Sequence, residues 1–233
     1  MEVDWRIFVA AFVITSIIFG AILFSNSVMN NTREDSVAER MNSVIKEYED
    51  MQTVLWMSEF LGENATCVAM QGMITQMNKG LWELGSKIDQ YRQVTEEFAE
   101  DPFYIQQKAE FNRREVLYLS TLEGMKERCS INQTIIAYFY RKKELCPDCD
   151  AQSFVLRDIK NDLSNMDKTE ELAIFSFDAD MGIVPVDLLA QYYNISQYPC
   201  VVIEGKSHCG LYDKSELMGL ICKTSALSTC PEK

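Results

Sequence analysis

The sequence predicts an α/β domain at the C-terminal end of a chain whose first half is helical and membrane-anchored. Three observations lead there. Residues 7–24 form an apolar run without a charge. From Val37 to Tyr91, apolar residues then recur every three or four positions. After Ser130 the pattern changes to short β-prone runs at 134–140, 172–177 and 200–203, with helical stretches between them. The expected division is an anchor with its flanks over 1–30, a helical stalk and antiparallel hairpin over 31–130, and the α/β domain over 131–233.

Residues 7–24 span 18 positions. At about 1.5 Å per helical residue, such a run nearly matches a hydrocarbon core of ~30 Å, with Trp5 at the interface. A cleaved signal peptide is the alternative. Against it, the run is long for a signal core and no small-x-small site follows Leu23-Phe24-Ser25-Asn26. Arg6 on one side and Arg33, beside Glu34 and Asp35, on the other leave orientation open. The eight cysteines decide it, because a reducing cytosol explains so many poorly. The bulk of the chain is therefore expected outside the cytoplasm, as a single-pass protein with an extracytoplasmic C-terminal domain. Sequons at Asn30, Asn64, Asn132 and Asn194 lean the same way, with Asn194 expected close to the core.

The stalk begins with Val37, Met41, Val44, Tyr48, Met51 and Leu55, one stripe along a helix that Gly62 ends. Met70, Ile74, Met77, Leu81, Leu84, Ile88 and Tyr91 mark a second helix, from near Thr66 to near Glu100. Asp101-Pro102 reads as an N-cap followed by proline in the first turn, which opens a third helix to about Arg128. Ile105, Ala109, Val116 and Leu119 mark its expected inner face. A hairpin turning near residue 100 brings Cys67 and Cys129 together, and a disulfide there would stabilise by ~2–4 kcal/mol. Two unrelated buried thiols are the other reading. The heptad-like spacing also fits a dimeric coiled coil, but three helices folding on one another is the simpler outcome.

In the C-terminal part, Thr134–Tyr140 is a continuous β-prone run, as in a strand buried on both faces. A polar loop leads to Cys146-Pro147-Asp148-Cys149 and a helical stretch through Phe154, Val155 and Ile159. Leu172–Phe177 is a second strand, ending at Asp178. Pro185 opens a helix with Val186, Leu189 and Tyr193 inward. Tyr198-Pro199 precedes the strand Cys200–Ile203, a tight turn at Glu204-Gly205 and a return strand through Cys209. Asp213 caps a last helix carrying Leu217, Leu220 and Ile221.

That order, β-α-β-α-β-β-α with Cys-x-x-Cys after the first strand and a proline before the third, resembles the thioredoxin-like superfamily over residues 134–223. The whole layout resembles membrane-anchored thioredoxin-like proteins of prokaryotes. The resemblance implies that Cys146 caps the helix as an exposed nucleophile and that Cys149 resolves the mixed disulfide. A helix N-terminus favours the attacking thiolate. It also implies that Pro199 is a cis-proline lying against the cysteine pair and offering backbone to a substrate strand. Pro147, Asp148, Tyr198 and Pro199 are thus the expected substrate-binding residues. Pro147 suits the first helical turn, whereas the Asp148 carboxylate opposes a neighbouring thiolate. Tyr138 stands where many relatives bury an acid.

Counting strand register from Glu204-Gly205 pairs Cys200 with Cys209 at a non-hydrogen-bonded site, where Cα atoms approach to ~4.5 Å. A cross-strand bridge fits that separation. In the competing reading Cys200 is a third redox thiol beside Pro199. Cys222 and Cys230 pair by elimination.

A net charge of −13 argues against a nucleic-acid partner. No nucleotide loop, metal cluster or Ser-His-Asp set is visible, so neither cofactor nor metal is expected. A lone Cys-x-x-Cys with His208 as the single histidine makes a poor zinc site. The leading expectation is a membrane-anchored, extracytoplasmic thiol–disulfide oxidoreductase. Its expected partners are protein thiols and disulfides and a membrane electron donor or acceptor. Its rivals are a non-catalytic peptide-binding module, with Cys146–Cys149 as a structural bridge, and a structural ectodomain that oligomerises through its helices.

Overall fold

The computed structural model describes residues 5–92, 100–225 and 227–230. It is an α/β structure, with a long N-terminal apolar helix and a small mixed sheet of four strands. Helix α1 runs unbroken from Trp5 to Trp56. The expected boundary at residue 30 therefore falls inside a helix, because nothing from Ala21 to Leu61 is glycine or proline. Its apolar part is exposed and long enough to cross a membrane. A short helix α2 (Ser58–Leu61) ends at Gly62, whose φ of +82° suits glycine. Helix α3 (Glu63–Arg92) then returns along α1.

The two apolar stripes meet as the spacing predicted. Val37, Met41, Val44, Tyr48 and Met51 are buried with Met70, Ile74, Met77, Leu81, Leu84 and Ile88 in one cluster. Residues 93–99, on which the expected end of the second helix and the expected hairpin turn fall, lie outside the described residues, and α4 (Pro102–Arg128) follows them. Asp101 caps α4 through a 2.9 Å bond from the Phe103 N–H. At the far end Cys67 is joined to Cys129, closing the hairpin.

On α4, Val116 and Leu119 are buried as expected and Ala109 packs against the same core, but the expected face needs correction at its start. Ile105 is 45% exposed, while Lys108, Asn112 and Glu115 are buried beside Phe111, Tyr118, Leu119 and Leu122. The cause is that α4 is wedged between α3 and the sheet, and one of its two buried faces is polar.

The strands are β1 (Thr134–Tyr140), β2 (Leu172–Asp178), β3 (Cys200–Ile203) and β4 (Lys206–Cys209), in spatial order β2-β1-β3-β4. β1 pairs parallel with β2 and antiparallel with β3, and β3 with β4 through the expected register. Helices α5 (Cys149–Asn165) and α7 (Lys214–Thr224) supply the core of one face, where Leu156, Ile159, Leu217 and Ile221 meet Ile136, Tyr138 and Val201. On the other face Phe139, Phe175 and Val202 share a core with α6 (Val184–Tyr192) and with α1, α3 and α4. Asp213 caps α7 in a reciprocal box with Glu216. Asn194, expected near the core, is exposed just past α6.

The edge of β2 shows how the halves are joined. An edge strand leaves backbone groups unpaired, and α4 supplies side chains to meet them. Glu115 accepts from the Ser176 N–H at 2.9 Å, the Asn112 amide donates to the Ser176 carbonyl at 2.9 Å, and its oxygen accepts from the Asp178 N–H at 3.1 Å. The buried polar face of α4 thus stands in for a fifth strand.

Candidate functional site

The site forms where β1 ends. Its C-terminal residue Tyr140 lies beside Asp178 of β2, and the antiparallel partner of Phe139 is Cys200. The loop 141–148 and the start of α5 therefore converge with the loop after β2 and with the Tyr198-Pro199 segment. Cys146 and Cys149 are joined by a disulfide, with Cα atoms 5.4 Å apart.

Three hydrogen bonds shape this turn. The Cys146 N–H donates to the Lys142 carbonyl at 2.9 Å, the Cys149 N–H to the Cys146 carbonyl at 3.2 Å, and the Gln152 N–H to the Asp148 carbonyl at 3.0 Å. The N-cap of α5 is accordingly Asp148, with Cys149 the first helical residue. Cys146, expected as the cap, lies one tight turn earlier, because the chain enters the helix through that i→i+3 bond. It remains near the positive end of the helix.

Cys146 also departs from the expected exposure. It is 2% exposed and Cys149 3%, although Leu145, Pro147 and Asp148 around them face solvent. With the disulfide closed, the turn folds both sulfurs inward. The Asp148 carboxylate, being solvent-exposed, opposes a thiolate only through a screened interaction.

Several contacts were not visible in the sequence. The backbone N–H of Arg141 donates to Cys149 Sγ at 3.5 Å, a bond that would favour a thiolate on Cys149 after reduction. The segment Arg141-Lys142 is fixed at three points. The Arg141 guanidinium forms a 2.6 Å ion pair with Asp180 and lies 5.7 Å from the centre of the Tyr198 ring, while Asp180 also accepts from the Lys142 N–H at 2.7 Å. Tyr138, in the position where relatives of the resembled family bury an acid, donates its hydroxyl to the Cys149 carbonyl at 2.6 Å. Gln152 is fully buried and accepts from the Tyr212 N–H at 2.8 Å, tying α5 to the approach of α7. The available clue was register: two residues past a strand parallel to β1, Asp180 had to fall beside the loop after β1.

The Tyr198-Pro199 peptide is cis. Pro199 is buried and its carbonyl accepts from the Gly210 N–H at 2.8 Å. Tyr198 is half-buried at the rim. Next to this segment Cys200 is bonded to Cys209, with Cα atoms 3.9 Å apart, and Cys222 is bonded to Cys230.

A cleft of about 370 Å³ lies behind the site, between the hairpin, α5 and β2. Glu115 reaches it, and burial pushes its carboxyl pKa up to about 8 against the pull of the Ser176 N–H, Lys108 and Asn112. Burial alone would push the Lys108 ammonium down, but Tyr140, Asp89 and Tyr104 hold it well above its ordinary value. Among the described residues no cluster of histidine, cysteine and carboxylate side chains could hold a metal ion. No family model, curated protein or solved structure matches this chain.

Proposed function

We propose that the chain is a membrane-anchored, extracytoplasmic thiol–disulfide oxidoreductase of thioredoxin-like fold, acting on protein substrates through Cys146 and Cys149. The carrying observation is a disulfide closed over three residues at the end of a central strand and the start of a helix, with a backbone N–H on the inner sulfur. Strand order β2-β1-β3-β4 and helices on both faces support the fold reading.

In the reduced protein, Cys146 attacks a substrate disulfide as the thiolate. One substrate sulfur leaves, and the other stays in a mixed disulfide. Cys149, its thiolate favoured by the Arg141 N–H, then attacks Cys146 Sγ and releases the substrate as a dithiol. The reverse sequence oxidises a substrate. Tyr198 and the exposed residues Pro147 and Asp148 form the rim that a substrate meets first.

The burial of Cys146 favours a second reading, a structural bridge within a thioredoxin-like binding module. Reductive titration of the whole protein in detergent, with alkylation and mass spectrometry to identify which cysteines open, separates the two. An active pair opens before Cys67–Cys129, Cys200–Cys209 and Cys222–Cys230, at a potential above about −300 mV. A value near about −270 mV marks a reductant and one near about −120 mV an oxidant. Should the pair open no earlier than the other three bridges, the enzymatic reading fails. In an active pair, Cys149→Ser retains substrates as mixed disulfides on Cys146.

A further inference from the structure

The direction of β1 places the cysteine pair on the membrane-facing end of the molecule. We infer that the pair acts at the bilayer surface, on a disulfide carried by an extended segment held there. This inference rests on the oxidoreductase reading above and on residues 7–24 crossing the bilayer.

A chain of contacts fixes the direction. Helix α1 leaves its apolar run at Phe24 and continues without interruption, so Glu34 stands about 15 Å further along the axis. At that level the Tyr91 hydroxyl contacts Glu34 at 3.4 Å and bonds Asp101. One turn along, Lys87 bonds Ser36 at 2.7 Å. The hairpin therefore begins α4 at its membrane-proximal end, and α4 climbs away from the bilayer.

The sheet hangs beside α4 in the opposite sense. The Ile135 N–H, at the start of β1, donates to Glu204 at 2.8 Å, and Glu204 pairs with Lys126 at 2.5 Å near the top of α4. Tyr140, at the end of β1, has its ring centre 5.5 Å from Lys108 Nζ, which lies 3.8 Å from Asp89. Lys108 and Lys126 are separated by 18 residues of one helix, or about 27 Å. Strand β1 thus descends toward the bilayer, and everything at its C-terminal end faces that way: Arg141, the Cys146–Cys149 turn, Asp180 and Tyr198.

The height limits the partner. The end of β1 lies near the level of Asp89 and Tyr91, roughly 15–20 Å beyond Phe24. Headgroups occupy about 5–7 Å of that distance. A gap on the order of 10 Å remains beneath the cysteine turn. A folded domain of about 100 residues has a radius of gyration near 13 Å and does not fit. An extended segment, or a loop rising from the membrane, does. Because α1 is a continuous helix, this spacing belongs to the structure and is not set by a flexible tether.

The test uses the full chain in phosphatidylcholine vesicles containing a phospholipid whose headgroup bears a lipoyl dithiolane, a disulfide held at the bilayer surface. Cys146 opens the dithiolane and Cys149 completes the exchange, so two electrons and two protons pass from the protein dithiol to the headgroup. Soluble lipoamide serves as the unconstrained substrate. Inserting seven helix-forming residues between Ser27 and Val28 lifts the site by about 10 Å. The expected result is at least a tenfold slower reaction with the surface dithiolane and an unchanged rate with lipoamide. Equal rates on the surface dithiolane for both chains would overturn the inference, as would parallel losses on both substrates. If neither substrate reacts, the oxidoreductase reading fails, and orientation is then read without chemistry. A fluorescent amino acid at Asp148 should transfer energy to headgroup acceptors more strongly than one at Lys206, and equal or reversed transfer refutes the placement.

Discussion

Two disulfides in this chain contrast in what they can do for the fold. Cys67–Cys129 joins residues 62 apart, and Cys146–Cys149 joins residues 3 apart. By loop-closure entropy the first stabilises by about 4 kcal/mol and the second by less than about 2 kcal/mol. The long bridge also closes the open end of the α3–α4 hairpin, whereas the short one sits in a turn already held by three backbone hydrogen bonds. A bridge that contributes so little to stability is better explained by chemistry than by structure. The same energetic contrast makes the reading breakable.

The largest effect is expected from opening the long bridge. Replacing both Cys67 and Cys129 by serine should lower unfolding stability by about 4 kcal/mol, measured by denaturant unfolding of the whole protein in detergent. Thiol exchange at Cys146 and Cys149 should persist under native conditions. If this double replacement costs no more than opening the short bridge, the contrast between the two disappears.

A second effect, of the same order, comes from the polar seam that joins the halves. Burial raises the Glu115 pKa from its ordinary 4.5 to about 8. The folded state then holds a proton that the unfolded chain has already released. Its stabilisation is complete below about pH 4.5 and is lost as pH rises toward about 8. Melting temperature should therefore fall across that interval, and Glu115→Gln should flatten the slope. A slope that survives the substitution assigns the pH dependence elsewhere.

Asn112 carries a smaller share of the same seam. Asn112→Ala leaves the Ser176 carbonyl and the Asp178 N–H without their partners and should cost about 2–3 kcal/mol. Hydrogen exchange at Asp178 should accelerate more than exchange at the centre of β1. Uniform acceleration would mean that α4 holds the whole sheet and not its edge alone.

How much of this was legible depended on the kind of signal. The Cys200–Cys209 register could be read because Glu204 and Gly205 both adopt positive φ, 47° and 76°, in a two-residue turn, and such a turn fixes every pair behind it. The stripes on α1 and α3 were plain because apolar spacing records an apolar interface. The polar face of α4 was hidden from that test, since Lys108, Asn112 and Glu115 read as solvated positions until the edge of β2 is known to need them. Continuity of α1 across 25–35 was missed because the apolar run ends at Phe24 and the stripe resumes only at Val37, although no residue between them breaks a helix. At the site, the cysteine spacing and the proline stood out in the sequence. Arg141, Asp180 and the inward fold of Cys146 depend on where three loops meet, and no local pattern encodes that.

The smallest stability effect carries the most information. Replacing Cys146 and Cys149 together by serine removes the short bridge and should cost less than about 2 kcal/mol. Arg141 would keep its pairing with Asp180, and the turn its backbone N–H bonds to the Lys142 and Cys146 carbonyls. Exchange with lipoamide should nevertheless disappear, because no other pair closes a three-residue loop at the end of β1. Asp180→Asn isolates the remaining link. It weakens the clamp that holds the Arg141 N–H toward Cys149 Sγ, so the Cys149 thiolate loses support and its pKa in the reduced protein should rise. The thiolate absorbance of the reduced protein, followed against pH with the Cys146→Ser variant as background, reads that shift directly. A titration that Asp180→Asn leaves unmoved would show that Arg141 only shapes the loop. A loss of 4 kcal/mol or more on removing Cys146 and Cys149 would place this pair with Cys67–Cys129 as a structural bridge.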